Sequence, residues 1–256
     1  VQTCALPILI VMTQFILDRV KREQNQDYFI GSTVVSSPMM SVLASHYNVD
    51  CKIGLTGFKW IAKMIEDYPS EKFLGGGEES FGFMVGDFVR DKDAVTAALL
   101  ACEVASTAIS NGESFFDQLL KAYKAYGLYQ EKLVSFVKKG KEGVFQIQQM
   151  MENLRKSPPE QIGGVRIKTI EDFKVGILHN CIESKKEIIT LPKSDVLIFT
   201  TEDGAKVAVR PSGTEPKIKF YFSVNNPLPK QSEYDDIRSV LIAKIDRMCG
   251  DLGLTA

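Results

Sequence analysis

The sequence contains few of the residues that build metal centres. Its 256 residues include two histidines and only five cysteines. A structural zinc site needs closely spaced cysteine and histidine ligands, and no CxxC pair is present, so we expect no zinc. Widely separated cysteines are typical of reduced thiols, which indicates a cytoplasmic protein. The cysteines are Cys4, Cys51, Cys102, Cys181 and Cys249.

The sequence also has no excess of charge and no long apolar run. Lys and Arg total 31 against 32 Asp and Glu. This balance excludes an overall positive potential that would attract nucleic acid or an anionic membrane. The apolar stretch at residues 6–17 is shorter than the roughly 20 residues of a membrane span. It has no basic segment before it and predicts a buried helix. Any anion-binding site must therefore be local.

The beginning of the sequence carries no sign of a domain start. Position 1 is not Met, and the first eight residues, VQTCALPI, contain no capping or turn signal. We interpret the chain as a fragment or a junction product, and the origin of residues 1–8 is left open. With 45% hydrophobic residues, the chain can bury one large core or two smaller ones.

Strand and helix patterns alternate in the first 156 residues, which predicts an α/β layer. The alanine-rich helix at 93–110 has Asp93 at the position of a side-chain cap. The glycine-rich stretch at 75–86 is predicted to be a loop that interrupts the alternation. Predicted helices are 8–22, 38–47, 58–67, 93–110, 114–126 and 143–156, and predicted strands are 28–36, 51–55 and 133–137.

The last hundred residues have a different pattern. The stretch SPPEQIGG, at 157–164, clusters Pro and Gly without an apolar period and is the best linker candidate. We therefore predict two domains, 1–156 and 157–256. The second is an α+β pattern, with strands at 165–169, 196–201, 206–210 and 218–224 and a terminal helix at 232–249.

The segment RPSGTEPKIKFY combines a tight loop with a cation at each end. Gly213 permits a positive φ, Ser212 and Thr214 offer hydroxyl groups, and successive backbone N–H groups of such a turn can form an anion-binding nest. Arg210 and Lys219 add charge, and Arg binds phosphate oxygens through a bidentate fork. The residues predict either a phosphate clamp or a hairpin turn whose cations are solvated.

The segment GGGEESFGFMVGDFVRDKD concentrates polar groups between glycines. Glu78, Glu79 and Ser80 suit a ligand with vicinal hydroxyls, such as a sugar. Arg90 and Lys92 lie on a short segment that could face the same cavity, and a lysine among cations or in dry surroundings can act as an acid or base. The alternative is a solvated run of charges that ends at a helix cap.

Together these motifs resemble the α-D-phosphohexomutases, the phosphoglucomutase and phosphomannomutase superfamily. The resemblance rests on GGEESFG followed by VRDKDAV, with RPSGTEPKIKFY nearer the C-terminus, and it covers the chain from about residue 8. The form EESFGF is nearer the phosphoglucomutase and phosphopentomutase-like branch. LTGFKWI resembles the family's TG-containing segment near the sugar, with Thr56 and Gly57 as the matched pair, although an ordinary strand-to-helix turn explains it nearly as well.

The resemblance implies a fold and a set of site residues. The fold is a three-layer α/β/α domain with a mixed sheet, followed by a smaller α+β domain with an antiparallel sheet and flanking helices. Lys92 takes the place of the proposed general acid or base. Sugar-binding residues would be Thr56, Gly57, Glu78, Glu79 (in a role left open), Ser80 and Arg90, and the phosphate that is not transferred would be held by Arg210, Ser212, Gly213, Thr214 and Lys219.

The resemblance also implies a mechanism of which this chain holds only a part. Such enzymes transfer a phosphoryl group from a phosphoserine to the sugar, and a bisphosphate intermediate reorients and serves as activator while Mg²⁺ stabilises the transferred group. The chain has no TASHNP-like serine loop and no DGDxDR-like metal loop, and Asp203 stands without further aspartates. We therefore expect domains three and four only, inactive without the missing N-terminal domains.

Two alternatives to a mutase fragment remain at this stage. One is a non-catalytic phosphosugar-binding or regulatory module, and the other is that both loops are structural turns. The EESFGF form favours a glucose phosphate, with pentose phosphates next. The mutase fragment and the binding module would both bind a phosphosugar, whereas structural turns would bind no ligand. Neither nucleic acid nor a membrane is expected as a partner.

Overall fold

The computed structural model describes residues 5–21, 23–80, 82–138, 140–213 and 215–254. The chain forms two compact units. The first contains the chain up to Tyr129 together with Pro227–Asp235, and the second contains Gln130–Asn226 and the chain from Asp236 onward.

The first unit is built on a mixed four-stranded sheet in the order β2-β1-β3-β4. β1 runs parallel to both β2 and β3, whereas β4 is antiparallel to β3. The mixed sheet expected for this domain is thereby confirmed. Its elements are α1 (Ala5–Arg19), β1 (Tyr28–Thr33), α2 (Met39–His46), β2 (Asp50–Gly54), α3 (Phe58–Asp67), β3 (Lys72–Glu78), β4 (Gly82–Val85), α4 (Ala94–Ser110) and α5 (Phe115–Tyr126).

Helices cover both faces of this sheet. A β-carbon placed on Gly31 would meet Ile61 of α3, whereas one placed on Gly75 would meet Ile16 of α1. Since Gly31 pairs with Gly76, the neighbour of Gly75, and successive residues of a strand face opposite sides, α3 and α1 lie on opposite faces. The sheet and α3 enclose a cluster of Phe29, Phe58, Ile61, Met64, Phe73 and Met84.

The glycine-rich stretch predicted as a loop is a β-hairpin, so that prediction is wrong. β3 and β4 run through it and pair Glu78 with Gly82. Gly76 and Gly82 are needed for close packing, whereas Gly86, which follows β4, has the positive φ of a turn, 62°. A β-carbon on Gly76 would lie 2.4 Å from the carbonyl oxygen of Gly31, and one on Gly82 would lie 2.0 Å from the ring of Phe58.

The predicted cap of α4 is confirmed. The carboxylate of Asp93 accepts hydrogen bonds from the backbone N–H groups of Val95 and Thr96 at 3.0 and 3.2 Å, and the Thr96 hydroxyl donates to it at 2.6 Å. These hydrogen bonds, with the hydroxyl first, lower the pKa of Asp93. We expect Asp93→Ala to lower the free energy of unfolding by about 1 kcal/mol, measured by urea denaturation.

Asp93→Asn serves as the matched control, because asparagine caps helices about as well as aspartate. If Asp93→Ala unfolded at the same urea concentration as the parent chain, the cap would contribute nothing to stability.

Helices α4 and α5 follow each other in the chain and are separated by a short connection. No single helix among the described residues is long and apolar enough to cross a membrane, and these two meet that criterion only as a pair bent by 88°.

The second unit is built on an antiparallel sheet, as expected for this domain. The strand order is β5-β12-β11-β10-β7-β8-β9, and the short β6 pairs with β7. Consecutive residues of its central strands are buried, including Phe199, Phe220 and Phe222. Its elements are β5 (Leu128–Val137), α6 (Gly140–Lys156), β6 (Gln161–Ile162), β7 (Val165–Asp172), β8 (Ile177–Asn180), β9 (Lys185–Ile188), β10 (Leu197–Thr201), β11 (Lys206–Pro211), β12 (Lys217–Asn226) and most of α7 (Tyr234–Asp251).

The stretch predicted as a linker lies inside the second unit. Ile162 pairs with Val165 across Gly163 and Gly164, whose φ values are 64° and 77°. Two consecutive positive φ angles make the two-residue turn that matches the twist of a hairpin. β5 and α6, which the sequence-based division placed with residues 1–156, also join this unit, because β5 neighbours β12 and α6 packs on β11 and β12.

Asp203 stands without the further aspartates that a metal site needs. It connects the β10–β11 turn to α7. Its carboxylate accepts from Lys244 at 2.5 Å and from the Thr201 hydroxyl at 2.7 Å. Partial burial acts to raise the pKa of Asp203, but these hydrogen bonds outweigh it and the pKa lies below its ordinary value.

This lowered pKa predicts a dependence of stability on pH. The stabilising contribution is complete above the unfolded pKa of about 4 and is lost as the pH falls through the lower, folded pKa. We expect Asp203→Asn to cost at most about 1 kcal/mol at pH 7, because the pair is part-exposed. Urea denaturation of both proteins should show the difference shrinking as the pH falls below about 4. A difference that stayed constant down to pH 2 would contradict this assignment.

Candidate functional site

The first unit has a topological switch point at β1. The chain passes from β1 to β2 on one side, and then returns to β3 on the other side of β1. In open α/β sheets, ligands bind outside the carboxyl ends of the strands at such a point. The segment after β1 and the turn after Glu78 of β3 lie at this edge, so the topology brings part of the EES motif there.

Three of the predicted sugar-binding residues form one hydrogen-bonded group. Glu78 is half-buried, and its carboxylate accepts from the backbone N–H of Gly57 at 2.9 Å and from the hydroxyl of Ser80 at 2.9 Å. Gly57 begins α3 with a φ of 115°, a conformation that favours glycine. The neighbouring Thr56 hydroxyl is buried and has no hydrogen-bond partner among the described residues.

Lys92 is close to this group, but Arg90 is not joined to it. The ammonium of Lys92 lies 5.9 Å from the ring centroid of Phe58, the residue after Gly57. It also donates to Asp91 at 3.2 Å, and hydrogen bonds from the backbone and side chain of Lys92 lower the pKa of Asp91. Arg90 donates to the carbonyl of Asp87 at 3.3 Å, within its own loop.

Glu79 has surroundings that its position in the motif did not predict. It is 8% exposed, whereas its neighbour Ser80 is exposed. The hydroxyls of Thr33 and Ser36, on the segment that follows β1, donate to its carboxylate at 3.4 and 3.3 Å. They are also 2.9 Å from each other. No sequence signal links these two segments, which are more than forty residues apart.

In the second unit, the RPSG segment lines a cavity of about 330 Å³. Its predicted phosphate-binding residues there are Arg210, Ser212 and Gly213, while Thr214 lies outside the described residues. Part of the remaining wall comes from distant parts of the chain, and no motif in the sequence indicates it. That wall consists of Val144, Ile147 and Gln148 of α6, Ser194, Asp195, and Pro211, Glu215 and Pro216 of the loop itself.

The loop does not have the backbone geometry that its sequence favoured. The φ of Gly213 lies outside the left-handed region. The backbone N–H groups of Ser212, Glu215 and Lys217 donate to acceptors inside the loop, so these three do not form a nest open to an anion. Arg210 pairs with Lys219 across the two strands, so both cations lie on the same face of the sheet, although Lys219 is not among the residues that line the cavity.

One acidic residue of the cavity wall is held by a cation. Arg155 of α6 donates to Asp195 at 2.6 Å and to Asp172 at 3.1 Å. The Arg155 side chain is 13% exposed. The negative charge of Asp195 is therefore compensated from outside the cavity lining.

The chain matches two models of one protein family. Residues 7–126 match the phosphoglucomutase/phosphomannomutase alpha/beta/alpha domain III, and residues 138–227 match the C-terminal domain of the same family.

Similar curated proteins are phosphoglucomutases. That of Staphylococcus haemolyticus is 37% identical over 194 residues, which are 75% of this chain and 35% of the relative. That of Staphylococcus aureus strain MRSA252 is 36% identical over 214 residues, 83% of this chain and 38% of the relative. The chain thus spans little more than a third of the length of these relatives.

Solved structures share the fold. Parafusin, a phosphoglucomutase from Paramecium, aligns with 96% of this chain and 42% of its own, at a TM-score of 0.60 and 13% identity. A phosphoglucomutase/phosphomannomutase family protein from Burkholderia thailandensis aligns with 93% of this chain and 41% of its own, at a TM-score of 0.52 and 14% identity. The chain belongs to the phosphoglucomutase/phosphomannomutase family, and it contains the family's domain III and C-terminal domain.

Proposed function

We propose that this chain supplies the sugar-binding loop and the distal phosphate clamp of a phosphohexomutase. Such an enzyme interconverts sugar 1-phosphates and 6-phosphates by phosphoryl transfer through a sugar bisphosphate. The first unit binds sugar hydroxyls, and the second holds the phosphate that is not being transferred. The phosphoserine of such an enzyme would come from domains outside this chain, which spans little more than a third of the length of its relatives.

The pairing of Arg210 with Lys219 is the observation that carries this proposal. Like charges directly opposite each other on neighbouring strands are destabilising, and a bound dianion removes that repulsion. Arg210 also lines the 330 Å³ cavity beside Ser212, where its guanidinium can bind two phosphate oxygens at once. A phosphate group is therefore the ligand class that suits the cavity.

The group around Glu78 supports a sugar as the rest of the ligand. Its carboxylate accepts two hydrogen bonds from the protein and retains acceptor capacity for a ligand hydroxyl. The Ser80 hydroxyl is exposed and can exchange its bond to Glu78 for one to the sugar. The ammonium of Lys92, close to Phe58, is then the group that gives or takes a proton at the reacting hydroxyl, and Arg90 reaches the substrate from its exposed loop.

The residues that the structure describes do not suit Mg²⁺. No group of three His, Cys, Asp or Glu side chains in the described ranges could hold a metal ion, and Asp203 is engaged by Lys244 and Thr201. Magnesium prefers several oxygen ligands in octahedral geometry. We therefore assign no metal-dependent step to these two units.

Calorimetric titration of the chain with glucose 1,6-bisphosphate tests the proposal. We expect binding that Arg210→Ala weakens about tenfold or more, because a charged hydrogen bond to phosphate is lost. Glu78→Ala should weaken it similarly. Free glucose is the ligand control. Lys185→Ala and Glu66→Gln, which change exposed residues outside these sites, are the control variants and should bind as the parent chain does.

Absence of binding in the folded chain, or equal binding by the parent and Arg210→Ala, would contradict the proposed clamp. Competition with glucose 1-phosphate, mannose 1-phosphate and ribose 1-phosphate then decides the substrate. We propose glucose as the preferred sugar, with pentose phosphates next, on the EESFGF sequence.

A further inference from the structure

A buried carboxylate beside the sugar-binding residues needs an explanation. Glu79 is 8% exposed, and the Thr33 and Ser36 side chains that contact it are 2% and 3% exposed. Burying an ionised group is unfavourable unless hydrogen bonds compensate it. A carboxylate kept in such a place acts on its surroundings, since it is shielded from a ligand in solution.

We propose that Glu79 is a positioning residue: its buried carboxylate, held by the hydroxyls of Thr33 and Ser36, orients the β3–β4 turn so that Glu78 and Ser80 face the ligand. The inference rests on the proposed function for the identity of that ligand. It assigns to Glu79 a role different from contact with the substrate.

The geometry of the hairpin explains how this works. β3 ends at Glu78 and β4 begins at Gly82, its partner across the hairpin, so Glu79 and Ser80 lie in the turn between them. The side chains of Glu78 and Ser80 lie together, 2.9 Å apart, whereas the side chain of Glu79 reaches the segment after β1. The contacts of Glu79 with Thr33 and Ser36 fix the orientation of the turn, and thereby the direction in which the side chains of Glu78 and Ser80 point.

The anchor also joins the two strands that flank the switch point. Thr33 ends β1, Ser36 follows it, and Glu79 follows β3, and β1 and β3 are neighbours in the sheet. The hydroxyl contacts bridge the carboxyl ends of these strands at the edge where a ligand is expected. Glu78, the last residue of β3 before this turn, accepts a hydrogen bond from the N–H of Gly57 at the start of α3.

Amide hydrogen exchange measured by NMR tests the inference without any ligand. In Glu79→Gln we expect the Gly57 amide to exchange about fivefold faster or more. The reason is that a displaced Glu78 carboxylate weakens the hydrogen bond that protects this amide by about 1 kcal/mol. Ser36→Ala and Thr33→Val remove the hydroxyls that donate to Glu79 and should also speed the exchange of the Gly57 amide. These two variants replace Glu79→Gln in the experiment if that variant does not fold. Glu66→Gln, on the exposed face of α3, is the matched control.

A thermodynamic cycle with glucose 1-phosphate separates positioning from direct contact. Glu79→Gln should weaken binding about fivefold in the parent chain and have no further effect in a Glu78→Gln, Ser80→Ala background. Binding of inorganic phosphate, which needs no sugar loop, should be unchanged. Equal losses in both backgrounds would mean that Glu79 touches the sugar and would overturn the inference.

The two proposals fail in different ways. If the parent chain bound no glucose 1-phosphate, the proposed function would be contradicted, while the exchange of the Gly57 amide would still decide the role of Glu79. If Gly57 exchanged at the parent rate in Glu79→Gln, Ser36→Ala and Thr33→Val alike, Glu79 would not position the turn, whatever the ligand is.

Discussion

Arg155→Ala is expected to lower the free energy of unfolding of the second unit by about 3 kcal/mol. Arg155 donates to Asp172 and Asp195 at 3.1 and 2.6 Å, and its side chain and that of Asp172 are 13% and 15% exposed. Removing the cation leaves the part-buried carboxylate of Asp172 uncompensated, which costs more than the ion pair itself contributes, whereas the Asp195 side chain is 44% exposed. Urea denaturation measures the loss.

The neighbouring residue offers a matched control. The Lys156 side chain is 76% exposed and pairs with Glu152 at 3.6 Å, one helical turn away. Lys156→Ala should cost at most about 0.5 kcal/mol. Equal stability of Arg155→Ala and Lys156→Ala would show that the bridge from α6 to Asp172 and Asp195 contributes nothing.

Arg155→Ala should also weaken the binding of anions in the cavity. Asp195 lines it together with Arg210 and Ser212, and without Arg155 its charge opposes an incoming phosphate. We expect Arg155→Ala, under conditions where it is folded, to bind inorganic phosphate more weakly than the parent chain does, and the double variant with Asp195→Asn to recover part of that loss.

Gly76→Ala is expected to destabilise the first unit by about 3 kcal/mol or more. The added methyl group would lie 2.4 Å from the carbonyl oxygen and 2.9 Å from the α-carbon of Gly31. These atoms belong to the backbone of the paired strand β1, so no side-chain rotation relieves the clash and the strands must move apart. Thermal and urea denaturation of the variant measure the effect.

Gly112→Asn is the control for this substitution. Gly112 follows α4 with a φ of 72° and has no atom within 4 Å of the position of a β-carbon. Asparagine tolerates this conformation better than most residues, so we expect a loss below about 1 kcal/mol. If Gly76→Ala were as stable as Gly112→Asn, the close approach of β1 and β3 would not need glycine.

Local signals in the sequence predicted much of the secondary structure. The helix predicted at 58–67 is α3 with the same bounds, and Asp93 caps α4 as its position indicated. Caps and apolar periodicity depend on residues a few positions apart, so one segment contains the whole signal. β9 was not predicted. All four of its residues are exposed, so its sequence has no alternation of buried and exposed positions to detect.

The glycines show where such signals mislead. A run of glycine suggests a turn, but in GGGE it allows β3 to approach β1, and the reason lies in Gly31, 45 positions earlier. Gly213, which permits a positive φ, does not adopt one. Only the neighbours in space decide which property of a glycine is used.

The sequence by itself determined the family, through two long motifs in the right order, and with it the mixed α/β/α domain and the antiparallel domain that follows. It also named polar groups of each candidate site, such as Glu78 with Ser80 and Arg210 with Lys219. The tertiary structure alone decided that Glu79 is buried against Thr33 and Ser36 and that Asp195 is neutralised by Arg155. These contacts join residues about 40 positions apart, and since any carboxylate and any hydroxyl or cation can form them, only the folded arrangement of the strands selects the partners.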